Sequence, residues 1–275
     1  MEIGVSTFVT DQGIGPAPLG RALDERGFDS LFIAEHTHIP ASRRTPYPGG
    51  GELPEIYYRT LDPFIVLTAI AAVTERLLLG TGIALVAQRD PIIMAKEVAS
   101  LDLVSGGRVI VGIGAGWNRE EMENHGTDPT TRGRLVNERL QAMRELWTQE
   151  KAEFHGEFVN FDPVYLWPKP VQRPYPPIYV GGVEAAFTRI AALGGDAWLA
   201  NASSPEQLAP LIERMRSVAG RDVPVTVYAV PPTPEAIEGY GRLGVERVLF
   251  YLPTVPEGET LGQLDTMAQV AARFR

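Results

Sequence analysis

Cysteine is absent from the 275 residues, which excludes a disulfide framework, a thiolate nucleophile and any cysteine-held zinc or iron–sulfur centre. Basic residues are scarce too. The chain has 25 Lys and Arg against 34 Asp and Glu, a net charge of -9, whereas nucleic acid demands a concentrated basic surface. Long apolar runs are also missing: "PFIVLTAIAAVT" and "LLLGTGIALVAQ" are too short to cross a bilayer. The opening "MEIGVSTFVT" has neither the basic start nor the apolar middle of a signal peptide. These absences predict a cytoplasmic protein that binds neither nucleic acid nor membrane. With 44% apolar and 21% charged residues the composition is that of a globular chain.

What is present is a rhythm of short apolar runs and amphipathic stretches. The strand candidates are "EIGVST", "DSLFIAE", "LLLGTGIALV", "RVIVGIGAG", "PPIYVGG", "DAWLAN", "VPVTVYAV" and "RVLFYLP". Helix candidates fall near residues 16–26, 61–74, 91–105, 131–149, 184–193, 205–219, 234–243 and 260–274. Ser204 before Pro205 reads as a helix start, and Gly27, Gly106, Gly194 and Gly244 as helix stops. Eight βα units of about 34 residues predict an α/β fold, a (β/α)8 TIM barrel forming one domain over 1–275. A doubly wound open sheet is the alternative. Two insertions, 37–60 and 151–177, interrupt the rhythm. The first follows a strand and reads as a lid over the C-terminal face, and the second opens with a hairpin turning at His155-Gly156.

Chemistry gathers first at "EHTH", where three readings fit. His36 and His38 alternate along an extended chain and so could share a metal ion, although further ligands are lacking. They also fit loop residues with no chemical role. The third reading is a catalytic or ring-contacting histidine. The glycines add a second signal: Gly112, Gly114 and Gly116 leave one face of a strand bare up to Trp117, and Gly80 and Gly82 do the same on its neighbour. Bare faces admit a planar molecule or another backbone, and two such strands side by side, next to a polar strand end, favour a planar cofactor over tight packing or a β-bulge. "GIGAGWNREE" fails the spacing of a dinucleotide fingerprint. At "YVGGVEAAFTR" a strand runs through Gly181-Gly182 into a helix, either a plain turn or a phosphate cradle.

The segment "PIIMAKEVASLDLVSGGRVIVGIGAGWNREEM", followed by "IYVGG", resembles the luciferase-like family of flavin- and deazaflavin-dependent barrel oxidoreductases over nearly the whole chain. Within it, "EHTHIP", "RRTPYPGGGELP" and "GTGIALVAQRDP" look most like the actinobacterial branch assigned to coenzyme F420. The resemblance implies a ring bound in the barrel mouth against a bulge with a non-prolyl cis peptide, here Gly82-Ile83, leading into Ala84. It implies His36 as the acid/base group, with Glu35 tuning it or touching the ring. Gly116, Trp117 and Asn118 would border the cofactor, and Gly181, Gly182 and Val183 would hold its phosphate-bearing tail. Where the family's sugar-phosphate dehydrogenases have a glutamate after the fourth-strand glycines, this chain has Trp117, so their proton relay does not transfer directly.

The expectation is therefore an F420-dependent oxidoreductase that exchanges a hydride with a small organic substrate and holds no metal. The alternatives are an FMN-dependent monooxygenase fed by a separate reductase, and a cofactor-binding protein without turnover. The helix in "LDPFIVLTAIAAVTER" is apolar around most of its circumference, which predicts a homodimer through it.

Overall fold

Runs such as "VIVGIG" are apolar at successive positions because both faces of a barrel strand are covered, one by helices and one by the barrel interior. The computed structural model describes residues 1–201 and 203–274. Eight parallel strands form the barrel: β1 (Glu2–Thr7), β2 (Ser30–Ile33), β3 (Leu78–Thr81), β4 (Val109–Gly114), β5 (Ile178–Gly181), β6 (Ala197–Asn201), β7 (Val225–Val230) and β8 (Arg247–Tyr251). Pairing of β8 with β1 and of β3 with β4 closes the ring. The architecture is the (β/α)8 barrel, and the open-sheet alternative falls with that closure.

Around the strands lie α1 (Pro16–Glu25), α2 (Pro63–Ala71), α3 (Pro91–Ser105), α4 (Arg132–Thr148), α5 (Glu184–Leu193), α6 (Pro205–Ala219), α7 (Pro234–Arg242) and α8 (Glu257–Ala271). Their starts are chemically marked. Asp62 accepts from the N–H groups of Phe64 and Ile65, Asp90 from those of Ile92 and Ile93, and Ser204 with Gln207 forms a capping box. Gly106, Gly194 and Gly220 end helices in the left-handed conformation. Inside the barrel Phe32, Ile110, Tyr179, Leu199 and Leu249 pack together. Below them, Arg247 bonds Asp29 at 2.9 Å and the Tyr179 hydroxyl at 3.2 Å, which satisfies a buried charge.

Four expectations change in detail. The run 77–86 is not one strand: β3 stops at Thr81, the Gly82-Ile83 peptide is cis, and a two-residue strand, Ala84–Leu85, resumes the pairing with β4. The last helix begins at Glu257 rather than 260, because Pro256 and two glutamates make a good first turn. The hairpin pairs His155 with Asn160, so its turn is 156–159 rather than His155-Gly156. Three of its amides, those of Glu157, Phe158 and Val159, donate to the Glu138 carboxylate on α4, which draws the turn against that helix. Finally, α2 uses most of its apolar circumference internally. Gly20 lets α1 approach so closely that a Cβ there would lie 2.8 Å from Ile70, and only Ile65 of α2 remains as a large exposed apolar side chain, at 71%.

Candidate active site

The C-terminal strand ends carry the loops of a barrel's active site, and two adjoining cavities open there. One, of about 770 Å³, borders the ends of β2 to β5. The other, of about 1040 Å³, borders the ends of β6 to β8 and the 37–60 insertion, and the two share Phe8, Tyr57, Asn201 and Tyr228.

His36 lines the first cavity and is 8% exposed. β2 ends at Ile33, so the alternation that would aim His36 and His38 together does not reach them. His38 instead meets Thr37 and Asn124 at 2.9 Å each, and no set of three metal-ligating side chains occurs among the described residues. His36 Nδ1 lies 2.8 Å from Glu121 Oε2, and Glu121 Oε1 accepts the Thr37 amide at 3.2 Å. An ionised carboxylate accepts only, and opposite Glu121 the pair has His36 Nδ1 as donor. This leaves Nε2 without a partner among the described residues. The rings of Tyr57 and Trp117 flank the imidazole at 5.3 and 5.7 Å.

Glu121 escaped sequence reasoning because it sits in the first turn of a short helix, Arg119–Asn124, capped by Asn118. Acids there read as complements to the helix dipole. Asn118 accepts from the Glu121 amide and does not line the cavity.

Glu35 borders the cavity, yet both its oxygens are engaged. Oε2 accepts the Leu85 amide at 2.6 Å, and Oε1 accepts Arg89 Nε at 2.6 Å. Burial pushes its carboxyl up from the ordinary range, opposed by Arg89 and the Leu85 amide. Arg89 also binds Asp62 and Glu97, which ties the chain after the Gly82-Ile83 bond to α2 and α3.

The bare glycine faces prove to be occupied by the protein itself. A Cβ on Gly112 would lie 1.9 Å from the Thr81 carbonyl oxygen, and one on Gly114 would lie 1.9 Å from Ile83 Cδ1. Gly80 likewise makes room for the Phe32 ring. The glycines therefore admit the bulge, and the bulge with Ile83 forms the cavity wall. Gly82, Ile83, Gly116, Trp117, Gly181 and Gly182 all line it, whereas Ala84, fully buried, and Val183, at the start of α5, do not.

The cavity also has a cationic lining. Arg119, Arg132 and Arg189 line it, together with Thr130 and the first turns of α4 and α5. Neither helix start has a side-chain cap, so their free amides and positive dipole ends remain available to an anion. The starts of α1 and α8 also lack caps but do not border the cavity. Arg189 is held by Asn137 at 2.7 Å and by the Gly133 carbonyl at 3.3 Å. These arginines come from three separate loops and helices, which explains why no local motif announced them.

The 37–60 segment covers the mouth, with Tyr57 lining both cavities and Tyr47 the second. Glu120, beside Glu121, fastens it by accepting from Thr45 Oγ1, from the Thr45 amide at 3.0 Å and from Ser42 at 3.2 Å.

The sequence pattern described as luciferase-like monooxygenase matches residues 17–236. An uncharacterized protein of Mycobacterium tuberculosis is 41% identical over 98% of both chains. An FMNH(2)-dependent dimethylsulfone monooxygenase of Pseudomonas putida is 33% identical over 55% of this chain and 42% of its own. An F420-dependent glucose-6-phosphate dehydrogenase of Nakamurella multipartita is 29% identical over 70% of this chain and 53% of its own. Among solved structures, the monooxygenase RslO1 from Streptomyces bottropensis superposes with a TM-score of 0.79 at 22% identity, covering 100% of this chain and 99% of that one. An F420-dependent secondary alcohol dehydrogenase superposes with a TM-score of 0.73 at 18% identity, covering 98% of each chain.

Proposed function

Because the chain belongs to the luciferase-like monooxygenase family, whose relatives include F420- and FMN-dependent oxidoreductases, we propose that it is a coenzyme F420-dependent oxidoreductase acting on a small organic substrate. One observation carries the cofactor choice: the lining of the first cavity combines backbone and glycine with three arginines and two uncapped helix starts. That is the shape and charge of a flat ring with a tail bearing several negative charges. A single phosphate needs fewer cations.

Gly82, Ile83, Gly116 and Trp117 would hold the ring, and Gly181, Gly182, Arg132 and Arg189 the tail. When bound, a deazaflavin supplies a two-electron hydride carrier. The chain's own task is the proton. His36 Nε2 takes up or releases it at the cavity, while Glu121 keeps the ring oriented and stabilises the imidazolium when it forms. Glu35 acts here by fixing the Leu85 amide and Arg89, hence the wall. Trp117 and Tyr57 shield the histidine from water.

The FMN-dependent monooxygenase reading, with a separate reductase, draws its support from the Pseudomonas putida relative. Titration of the purified chain with oxidised F420 and with FMN separates the two. Micromolar F420 binding, at least about tenfold tighter than FMN, is the expected outcome. Tighter FMN binding would overturn it.

A homodimer belongs to the same reading, built on the outward apolar side chains of α2 and α3, Ile65, Ile92 and Ile93. Sedimentation of only a 30.0 kDa particle at micromolar concentration would sink it.

A further inference from the structure

We infer that the second cavity is the substrate chamber and that its substrate is an uncharged, largely apolar ketone or secondary alcohol of polycyclic size. The inference rests on assigning the first cavity to the redox cofactor.

The chamber adjoins that cavity across four shared residues, so a molecule in it reaches the same space as His36. Among the described residues no charged side chain lines it, in contrast to the three arginines next door. Its walls are mostly aromatic rings, Tyr47, Tyr57, Tyr228 and Tyr251, with prolines and Met267, and its few neutral polar groups, Asn201, Gln263 and Thr266, can meet a single carbonyl or hydroxyl. Burial pushes the phenols of Tyr57, Tyr228 and Tyr251 above their ordinary range, so the walls stay neutral. A sugar phosphate or carboxylate would lose its hydration there without finding a cation.

The shape has a local cause. β7 and β8 shift register between Val227 and Val230, and Ala229 takes a φ of 62°, the left-handed region that a residue other than glycine rarely enters. A straight strand would send Tyr228 and Ala229 to opposite faces. Here both line the chamber, which widens the mouth beside the Gly82 bulge. Size then narrows the class. At about 1040 Å³ the chamber lies at the upper end of the roughly 300–1,000 Å³ usual for small-molecule sites, and a two- or three-carbon alcohol would leave most of its apolar wall wet.

The reacting group follows from the neighbouring chemistry. For a secondary alcohol, a bound oxidised deazaflavin would supply the acceptor for the C–H hydride, and His36 Nε2 would take the hydroxyl proton as the C=O bond forms. Ketone reduction by the reduced deazaflavin is the reverse, with the proton returned from His36.

The test is equilibrium dialysis of the full chain against androstenedione, a neutral tetracyclic diketone, and against glucose 6-phosphate, each with and without saturating F420. The expected result is androstenedione binding at about 10 μM or tighter, undiminished by F420, with no sugar-phosphate binding at millimolar concentration. Thr266→Trp, on the exposed side of α8, should fill the chamber and weaken the diketone by about tenfold or more, and Tyr251→Lys should weaken it by placing a cation there. Both should leave F420 titration and the circular dichroism spectrum unchanged, which separates blocking from misfolding. Failure of the diketone to bind, competition between it and F420, preferential binding of glucose 6-phosphate, or full affinity in both variants would each overturn the inference. If FMN rather than F420 fills the first cavity while the diketone pattern holds in its presence, the cofactor reading fails and the chamber stands.

Discussion

On the β2 to β5 side of the barrel mouth, the charged groups near the reacting end are held by neighbours: His36 by Glu121, Glu35 by Leu85 and Arg89, and Arg89 by Asp62 and Glu97. On the β6 to β8 side the walls are mostly rings and prolines with a few neutral polar groups, and no charged side chain among the described residues lines the space. The first arrangement is directional. Each hydrogen bond prescribes an orientation, so the groups stand ready before any ligand arrives. The second is shaped by volume alone, and apolar surface tolerates exchange of one similar-sized contour for another. A barrel built this way can keep one cofactor while its substrate changes.

The strongest way to break the comparison is at the proton. His36→Ala should lower kcat by about a thousandfold while F420 affinity moves less than about threefold. A similar loss of both would mean that His36 belongs to the binding wall instead. Glu121→Gln is the next largest. It should lower kcat about 10- to 100-fold at unchanged KM, with Glu121→Asp recovering part of the loss. A parallel rise in KM would argue that Glu121 merely anchors the loop through the Thr37 amide.

Arg132→Ala should weaken F420 about tenfold, about 1.4 kcal/mol, and leave androstenedione untouched. The deficit should shrink as salt is raised, because the attraction is screened. The smallest effect concerns the cover over both halves. Desolvation pushes the Glu120 carboxyl upward, but hydrogen bonds from Thr45, its own backbone and Ser42 outweigh it and hold the group at about 2, below the ordinary 4.5. A carboxyl depressed by folding contributes stability that is complete above its unfolded value and is lost as pH falls through the folded one. Tryptophan fluorescence from Trp117 should therefore report loosening of the cover between about pH 4.5 and about pH 2. In Glu120→Gln that transition should be absent.

Much of the scaffold was readable in advance. Eight strand runs and eight helical stretches lie within a few residues of their observed places, since apolar periodicity, proline starts and glycine stops act over only a few residues. His36, Trp117 and the Gly181-Gly182 turn were visible as motifs at strand ends, and the structure brings them to one cavity. The glycines of β4 were legible as bare faces, but the planar cofactor expected against them gave way to the protein's own atoms. Gly112 proved to face the Thr81 carbonyl and Gly114 the Ile83 side chain. Glu121 and the arginines went unseen because their meaning lies in partners far along the chain. The His36–Glu121 bond spans 85 positions.

The amino-acid sequence by itself therefore determined the eight βα units, their order and the strand ends that carry chemistry, because those follow from short-range patterning repeated eight times, whereas closure of the ring rests on the pairings of β8 with β1 and β3 with β4. Only the tertiary structure decided which carboxylate serves His36, that three arginines line one cavity, and that an uncharged chamber adjoins a cationic one. Such pairings are made across loops on different strands, and nothing in a local pattern records the distance between side chains that only barrel closure brings together.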